Sequence, residues 1–236
     1  MSTGSFTFKQ FKIHQDRCIF KVGTDGVLLG AYAEVTGVKR ILDIGTGTAL
    51  IAIMLAQKSE AEIIAIEPDR DSFEQACMNV SQSKWNNRIR VINSDLQNYK
   101  PVNDRFDLIV SNPPYFIDSL RNPDPAKAAA RHNVTLNNKD LLRGISGLLT
   151  DDGRAQVIMP YAEGCILIAE AHESGLYCND ILKIKPLPTS EVRRLILTFS
   201  RTKHKTTEKY LTVEHGKRHQ FTQEYIDLTK DFYLKF

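Results

Sequence analysis

The chain has 236 residues, 42% of them apolar and 25% charged, with a formal net charge of +3. That is the make-up of an ordinary globular protein, enough for one large α/β domain or one domain with a small appendage. No apolar run approaches the roughly 20 residues that span a bilayer, and the N-terminus lacks a signal-peptide pattern. A membrane role is therefore excluded and a cytoplasmic location expected. The four cysteines, Cys18, Cys77, Cys165 and Cys178, form no C-x-x-C pair. They read as reduced thiols, and no metal site is expected. The charge is unevenly spread. Lys183–Arg218 carries ten Lys/Arg against three Asp/Glu, a bias that suits a polyanionic partner.

In chain order, the alternation of Phe6-Thr7-Phe8-Lys9-Gln10-Phe11-Lys12-Ile13 reads as one strand with a basic outer face. Lys21-Val22-Gly23-Thr24-Asp25-Gly26 is a turn cluster in which Thr24 or Asp25 would cap a helix running to Ala33. Strands over 40–44, 63–66, 89–92, 106–110 and 155–159 then alternate with helices over 49–57, 69–80, 138–149 and 162–174. The turn Asp151-Asp152-Gly153 would stop the third of these helices, and Gly175 would cap the fourth. This alternation predicts a doubly wound, mostly parallel sheet covered on both faces. The tail departs from it. Segments 179–185 and 192–200 read as an antiparallel strand pair, 209–213 as one more short strand and 223–232 as a helix. Between the last strand pair and that helix, 201–218 is a basic connection. The whole, 1–236, reads as one domain, with segments 1–35 and 201–236 packed on it.

Chemistry gathers at the strand ends. Asp43-Ile44-Gly45-Thr46-Gly47-Thr48 turns a strand into a helix, and its glycines let a ligand approach the backbone. Glu67 ends the next strand, 20 residues after Gly47, where an acid holds ribose hydroxyls. Asp43 would attract an amino group and repel a pyrophosphate, so a cationic nucleoside with an amino-acid tail suits the loop better than a dinucleotide. Asp95 ends the third strand, and Asn112-Pro113-Pro114-Tyr115 ends the fourth. Two successive prolines and the restriction they place on Asn112 make that turn rigid. The Asn112 side chain and the Pro113 carbonyl then form a pair of acceptors for a planar –NH2 group, with Tyr115 against its plane.

These residues resemble a class I S-adenosylmethionine-dependent methyltransferase. Asp43-x-Gly45-x-Gly47 resembles the cofactor loop, Glu67 the ribose acid and Asp95 the residue at the adenine edge. Asn112-Pro113-Pro114-Tyr115 resembles the motif of enzymes that methylate adenine N6, cytosine N4 or glutamine amides. Phe8-Lys9-Gln10-Phe11, Asp16-Arg17-Cys18 with Lys21–Gly26, and Ala130-Arg131-His132 are similar to the bacterial tRNA1(Val) (adenine37-N6)-methyltransferases. The resemblance implies a Rossmann-like fold, S-adenosyl-L-methionine as cofactor and transfer of its methyl group to adenine N6 in tRNA. The protein is expected to act as a monomer.

Two other functions compete with this one. A glutamine-amide methyltransferase acting on a release factor would use the same turn. A non-catalytic RNA-binding subunit would keep the fold. The Phe8–Phe11 opening and the basic tail count against the first, and the intact loop and turn against the second. Lys9, Lys12, Arg17, Arg131, His132, Lys203, Lys205, Lys217 and Arg218 are candidate RNA contacts, weighed against ordinary solvated charge. The stretch from Ile117 to Ala130 has the length of a lid over substrate.

Overall fold

A computed structural model describes residues 4–18, 20–101, 105–114 and 136–236. Tyr115, the 117–130 stretch, Arg131 and His132 lie outside the described residues.

The centre is an eight-stranded sheet built from β3 (Arg40–Ile44), β4 (Glu62–Ile66), β5 (Ile89–Ile92), β6 (Phe106–Ser111), β7 (Leu149–Pro160), β8 (Tyr177–Lys185), β9 (Arg194–Ser200) and β10 (Thr207–Thr212). Their order is β10-β8-β9-β7-β6-β3-β4-β5, and β9 alone runs against the rest. The expected antiparallel pair is therefore β8 with β9, and the short strand foreseen near 209 adds outside β8, parallel to it. Side chains alternate as a two-sided sheet requires. Ile41, Leu108 and Val110 join one core, while Leu42, Ile44 and Ile109 join the other.

On the first face lie α1 (Thr24–Tyr32), α2 (Leu50–Lys58), α3 (Arg70–Ser81) and α6 (Gln223–Thr229). On the second lie α4 (Asn138–Leu148) and α5 (Tyr161–Ala171). α4 buries Leu141, Leu142 and Ile145, each worth about 1.5–3 kcal/mol against leaving it in water. Its start is fixed by Asn137, whose side chain accepts from the Asp140 amide at 2.9 Å. A 3-10 turn, His172–Ser174, follows α5, and Gly175 ends it at φ 69°, the left-handed cap expected there.

Three expectations are corrected. The N-terminal alternation is not one strand. β1 (Ser5–Thr7) and β2 (Lys12–His14) form a separate antiparallel hairpin, because Phe8 and Phe11 stack at 4.6 Å and turn the chain between them. Thr24 and Asp25 do not cap α1. Gly23 occupies the cap without a side-chain bond, and Asp25 instead pairs with Arg194 at 2.8 Å. Asp151-Asp152-Gly153 is no stop, since β7 runs straight through it from Leu149. There the register with β6 shifts, and a side chain at Gly153 would come within 2.9 Å of the Phe106 carbonyl oxygen. The glycine marks a bulge rather than a turn.

Candidate active site

The parallel registers place Ile44 beside Ile66 and Ser111, and Ile66 beside Ile92. The segments that follow these residues therefore leave the same edge of the sheet side by side. Asp43, the glycine loop, Glu67, Asp95 and Asn112 are thus brought together, as open α/β sheets place their ligands.

The loop is pinned from its neighbour. Gly45 and Thr46 donate their amides to the Ile66 carbonyl at 3.0 Å, and Gly47 donates to Glu67 Oε2 at 2.8 Å. Glu67 Oε1 accepts from the Asp69 amide at 3.0 Å. Burial pushes the Glu67 carboxyl up from its ordinary range, and these two amides pull it back. Gly45, Gly47 and Ala49 all take left-handed φ, at 69°, 56° and 61°. Coiled this way, the loop leaves open space where a Cβ of Gly45 or Gly47 would stand. Asp43 is fully buried beneath it. Its Oδ2 accepts from the Thr46 hydroxyl at 2.5 Å, and its Oδ1 has no hydrogen-bond partner among the described residues. Burial raises the Asp43 pKa to about 7 against the pull of Thr46 and the Ala52 amide. A glycine cradle open to solvent over an unsatisfied carboxylate oxygen fits a cationic amino-acid nucleoside.

Asp95 is partly exposed, and both its oxygens accept from Asn98, at 2.7 and 2.8 Å, which fixes the turn it begins. Asn93 holds this loop to the previous one by donating to the carbonyls of Glu67 and Pro68 at 2.8 and 3.1 Å. Asn112 follows β6 directly, next to Ser111, whose hydroxyl donates to the Ile44 carbonyl at 3.0 Å. The Asn112 Nδ2 lies 3.9 Å from where a Cβ of Gly26 would stand, so the start of α1 abuts the Asn-Pro-Pro turn. Pro113 is buried and Pro114 exposed. On the turn's other flank a cleft of about 670 Å³ is walled by Pro113, Pro114, Met159, Glu163 and Ile166. Another cleft of about 560 Å³, between Lys9, Gln57, Lys58 and Asp231, lies at the opposite end of α2 and holds no part of this constellation.

The chain matches the family model of the methyltransferase small domain over residues 23–140. It is 44% identical over 240 residues to a tRNA1(Val) (adenine(37)-N6)-methyltransferase of Trichodesmium erythraeum, covering all of both chains. A Bacteroides fragilis protein of the same name is 44% identical over 237 residues, again over both full lengths. The chain belongs to the tRNA1(Val) (adenine(37)-N6)-methyltransferase family. Solved structures agree on the fold. A predicted O-methyltransferase of Agrobacterium tumefaciens superposes with TM-score 0.68 at 22% identity, over 88% of this chain and 96% of its own. The ribosomal protein L11 methylase of Lactobacillus delbrueckii gives 0.56 at 18% identity, over 81% and 84%.

The Phe8–Phe11 opening that resembles this methyltransferase family serves the fold. Phe8 and Phe11 are buried, and the Lys9 Nζ donates to the carbonyls of Lys230, at 2.6 Å, and Phe236. Lys9 is therefore a clip between chain segments rather than a free phosphate contact. Lys12 is exposed, and Arg17 pairs with Glu74 at 3.5 Å. Lys203 and Lys205 follow β9, the reversed strand, and so lie at the sheet edge opposite Asn112. Lys217 and Arg218 follow β10 and lie at the same edge as Asn112. Sequence reasoning missed Asn79, whose amide joins His14 to the Thr48 carbonyl, because a buried asparagine inside a helix has no local signature. It also missed Ala49, since nothing about an alanine announces a left-handed φ.

Proposed function

We propose that this protein transfers the methyl group of S-adenosyl-L-methionine to N6 of an adenine in tRNA, adenine 37 of tRNA1(Val). The observation that carries the reading is the adjacency of two elements. The glycine loop over Asp43 and the Asn112-Pro113-Pro114 turn leave neighbouring strands, β3 and β6, at one edge. Full-length similarity to relatives bearing that name supports the choice of substrate.

Bound S-adenosyl-L-methionine supplies an electrophilic methyl group on a sulfonium centre. Gly45 and Gly47 would leave room for it, Asp43 would offer a negative charge, and the remaining lone pairs of Glu67 and Asp95 would accept from its ribose and adenine. The adenine amino nitrogen is a poor nucleophile because its lone pair is delocalised into the ring. Asn112 Oδ1 and the Pro113 carbonyl take its two hydrogens, make the nitrogen more electron-rich and hold it in line. Alignment of this kind is worth several kcal/mol of the barrier. Tyr115 or Phe116, both outside the described residues, would stack on the extruded base. No general base is needed before transfer, because the extra proton leaves to water afterwards. The same reading makes 1–236 one methyltransferase domain that works as a cytoplasmic monomer without a metal.

The test is Asn112→Ala. The expected result is a fall in kcat/KM on unmodified tRNA equivalent to about 2–4 kcal/mol, with the protein still folded and cofactor affinity much less affected. N6-methyladenosine should be the nucleoside formed by the wild type. A folded variant that methylates at the normal rate would show that Asn112 only closes the turn.

A further inference from the structure

We infer that tRNA docks along the carboxyl edge of the sheet, on a track from the Asn112 turn through Tyr161 and Arg193 to Lys185, Lys217 and Arg218. This rests on the methyltransferase reading above and assigns the substrate a surface that the reading leaves open.

The track follows from strand direction. β7 runs parallel to β6, so Pro160 and Tyr161 emerge at the same edge as Asn112. β9 runs the other way, and its first residue, Arg194, pairs with Pro160, so Arg193 begins at that edge too. The Tyr161 amide donates to the Arg193 carbonyl at 3.2 Å, which places the two side by side. β8 ends at Lys185 and β10 ends beside it at Thr212. The Val213 amide donates to the Lys185 carbonyl at 2.9 Å, and the turn beyond carries Lys217 and Arg218. Four strand spacings separate β6 from β10, a run of about 19 Å.

The side chains suit RNA. Tyr161 is 46% exposed, an aromatic plate held at a helix start where a base can stack. Arg193, Lys217 and Arg218 are exposed, and none of the three has an ion pair among the described residues. Arg194 is not counted, because Asp25 engages it. Three carboxylates, Glu163, Glu191 and Glu214, also lie on this edge; Glu163 walls the cleft beside Pro113, and Glu214 accepts from the His219 amide at 2.7 Å. Lys203 and Lys205, equally basic in sequence, stand about 20 Å away across the length of β9.

The experiment measures binding of an unmodified tRNA1(Val) transcript across a salt series. One variant combines Arg193→Ala, Lys185→Ala and Lys217→Ala, a second is Tyr161→Ala, and a third combines Lys203→Ala with Lys205→Ala. The triple variant should bind at least tenfold more weakly, with a salt slope reduced by about 0.7–0.9 for each phosphate it no longer neutralises. Its KM for tRNA should rise while kcat at saturation and cofactor affinity stay unchanged. Tyr161→Ala should weaken binding without changing the slope, because stacking releases no counterions. The Lys203/Lys205 variant should match wild type within twofold. Wild-type protein that methylates tRNA, together with an unaffected triple variant or a Lys203/Lys205 variant that is weakened as much, would overturn the track alone. Wild-type protein that neither binds nor methylates tRNA would overturn the track and the substrate reading together.

Discussion

Asp43, buried beneath the glycine loop, holds its proton more tightly than an ordinary carboxyl. Its folded pKa stands at about 7, above the ordinary 3.8, because burial disfavours the charge. A group whose folded pKa is raised binds its proton more tightly in the native state. Asp43 therefore favours folding at low pH, and that contribution is lost as pH rises from about 4 to 7. A cationic cofactor works in the opposite direction, since it needs the carboxylate. Cofactor affinity is expected to rise up to tenfold per pH unit below 7 and level off above it, and Asp43→Asn should flatten the curve. Calorimetric titration from pH 5.5 to 8.5 checks this, and an identical slope in both proteins would remove Asp43 from the cofactor site. Gly47 gives a complementary expectation. At φ 56° a valine is strained, and its methyls would project into the open cradle. Gly47→Val should abolish measurable cofactor binding while far-UV circular dichroism stays that of a folded protein.

Among the elements, α3 carries the coupling between the N-terminal hairpin and the cofactor loop. Asn79 accepts from the His14 amide at 2.8 Å and donates to the carbonyls of His14 and Thr48 at 2.8 and 2.9 Å. Asn79→Ala leaves buried groups unsatisfied and should cost about 2–4 kcal/mol in urea unfolding. It should also lower cofactor affinity, because the Thr48 end of the loop loses its tether. Asn79→Asp keeps one of the three bonds and should fall between. Unchanged cofactor affinity in a destabilised Asn79→Ala would make the contact purely structural. The parallel strands and their helices were legible in the sequence because apolar runs such as Phe106–Val110 and caps such as Gly175 act locally. The end of β6 before Asn112 was legible for the same reason, since the two prolines that follow cannot continue a strand. Three features were not, because each depends on a distant partner. Phe8 leaves the strand to stack on Tyr233 as well as on Phe11, Gly153 serves a bulge against Phe106, and Asp25 turns to Arg194 instead of capping.

At the scale of the whole molecule, residues far apart in sequence share one aromatic cluster. Phe8 stacks on Phe11 at 4.6 Å and on Tyr233 at 5.9 Å, and Tyr233 meets Phe236 edge-on at 5.7 Å. Lys9 adds its clip to the carbonyls of Lys230 and Phe236. Removing residues 231–236 takes away the buried Phe232 together with both of these rings, and should cost at least about 3–5 kcal/mol. The shortened chain should bind a hydrophobic dye through Phe6 and Phe8, and a chain that binds none would show that the hairpin stands without them. The same closure fixes an order of events during synthesis. His14 of the hairpin meets Asn79 within 65 residues of later chain, yet the Tyr233 partner of Phe8 and the carbonyl partners of Lys9 are made more than 200 residues after them. At about 5–20 residues per second, the nascent aromatic hairpin waits roughly 10–45 s for the partners that cover it. The aromatic face of the hairpin is thus covered only when residues 230–236 arrive, long after its own strands have been made.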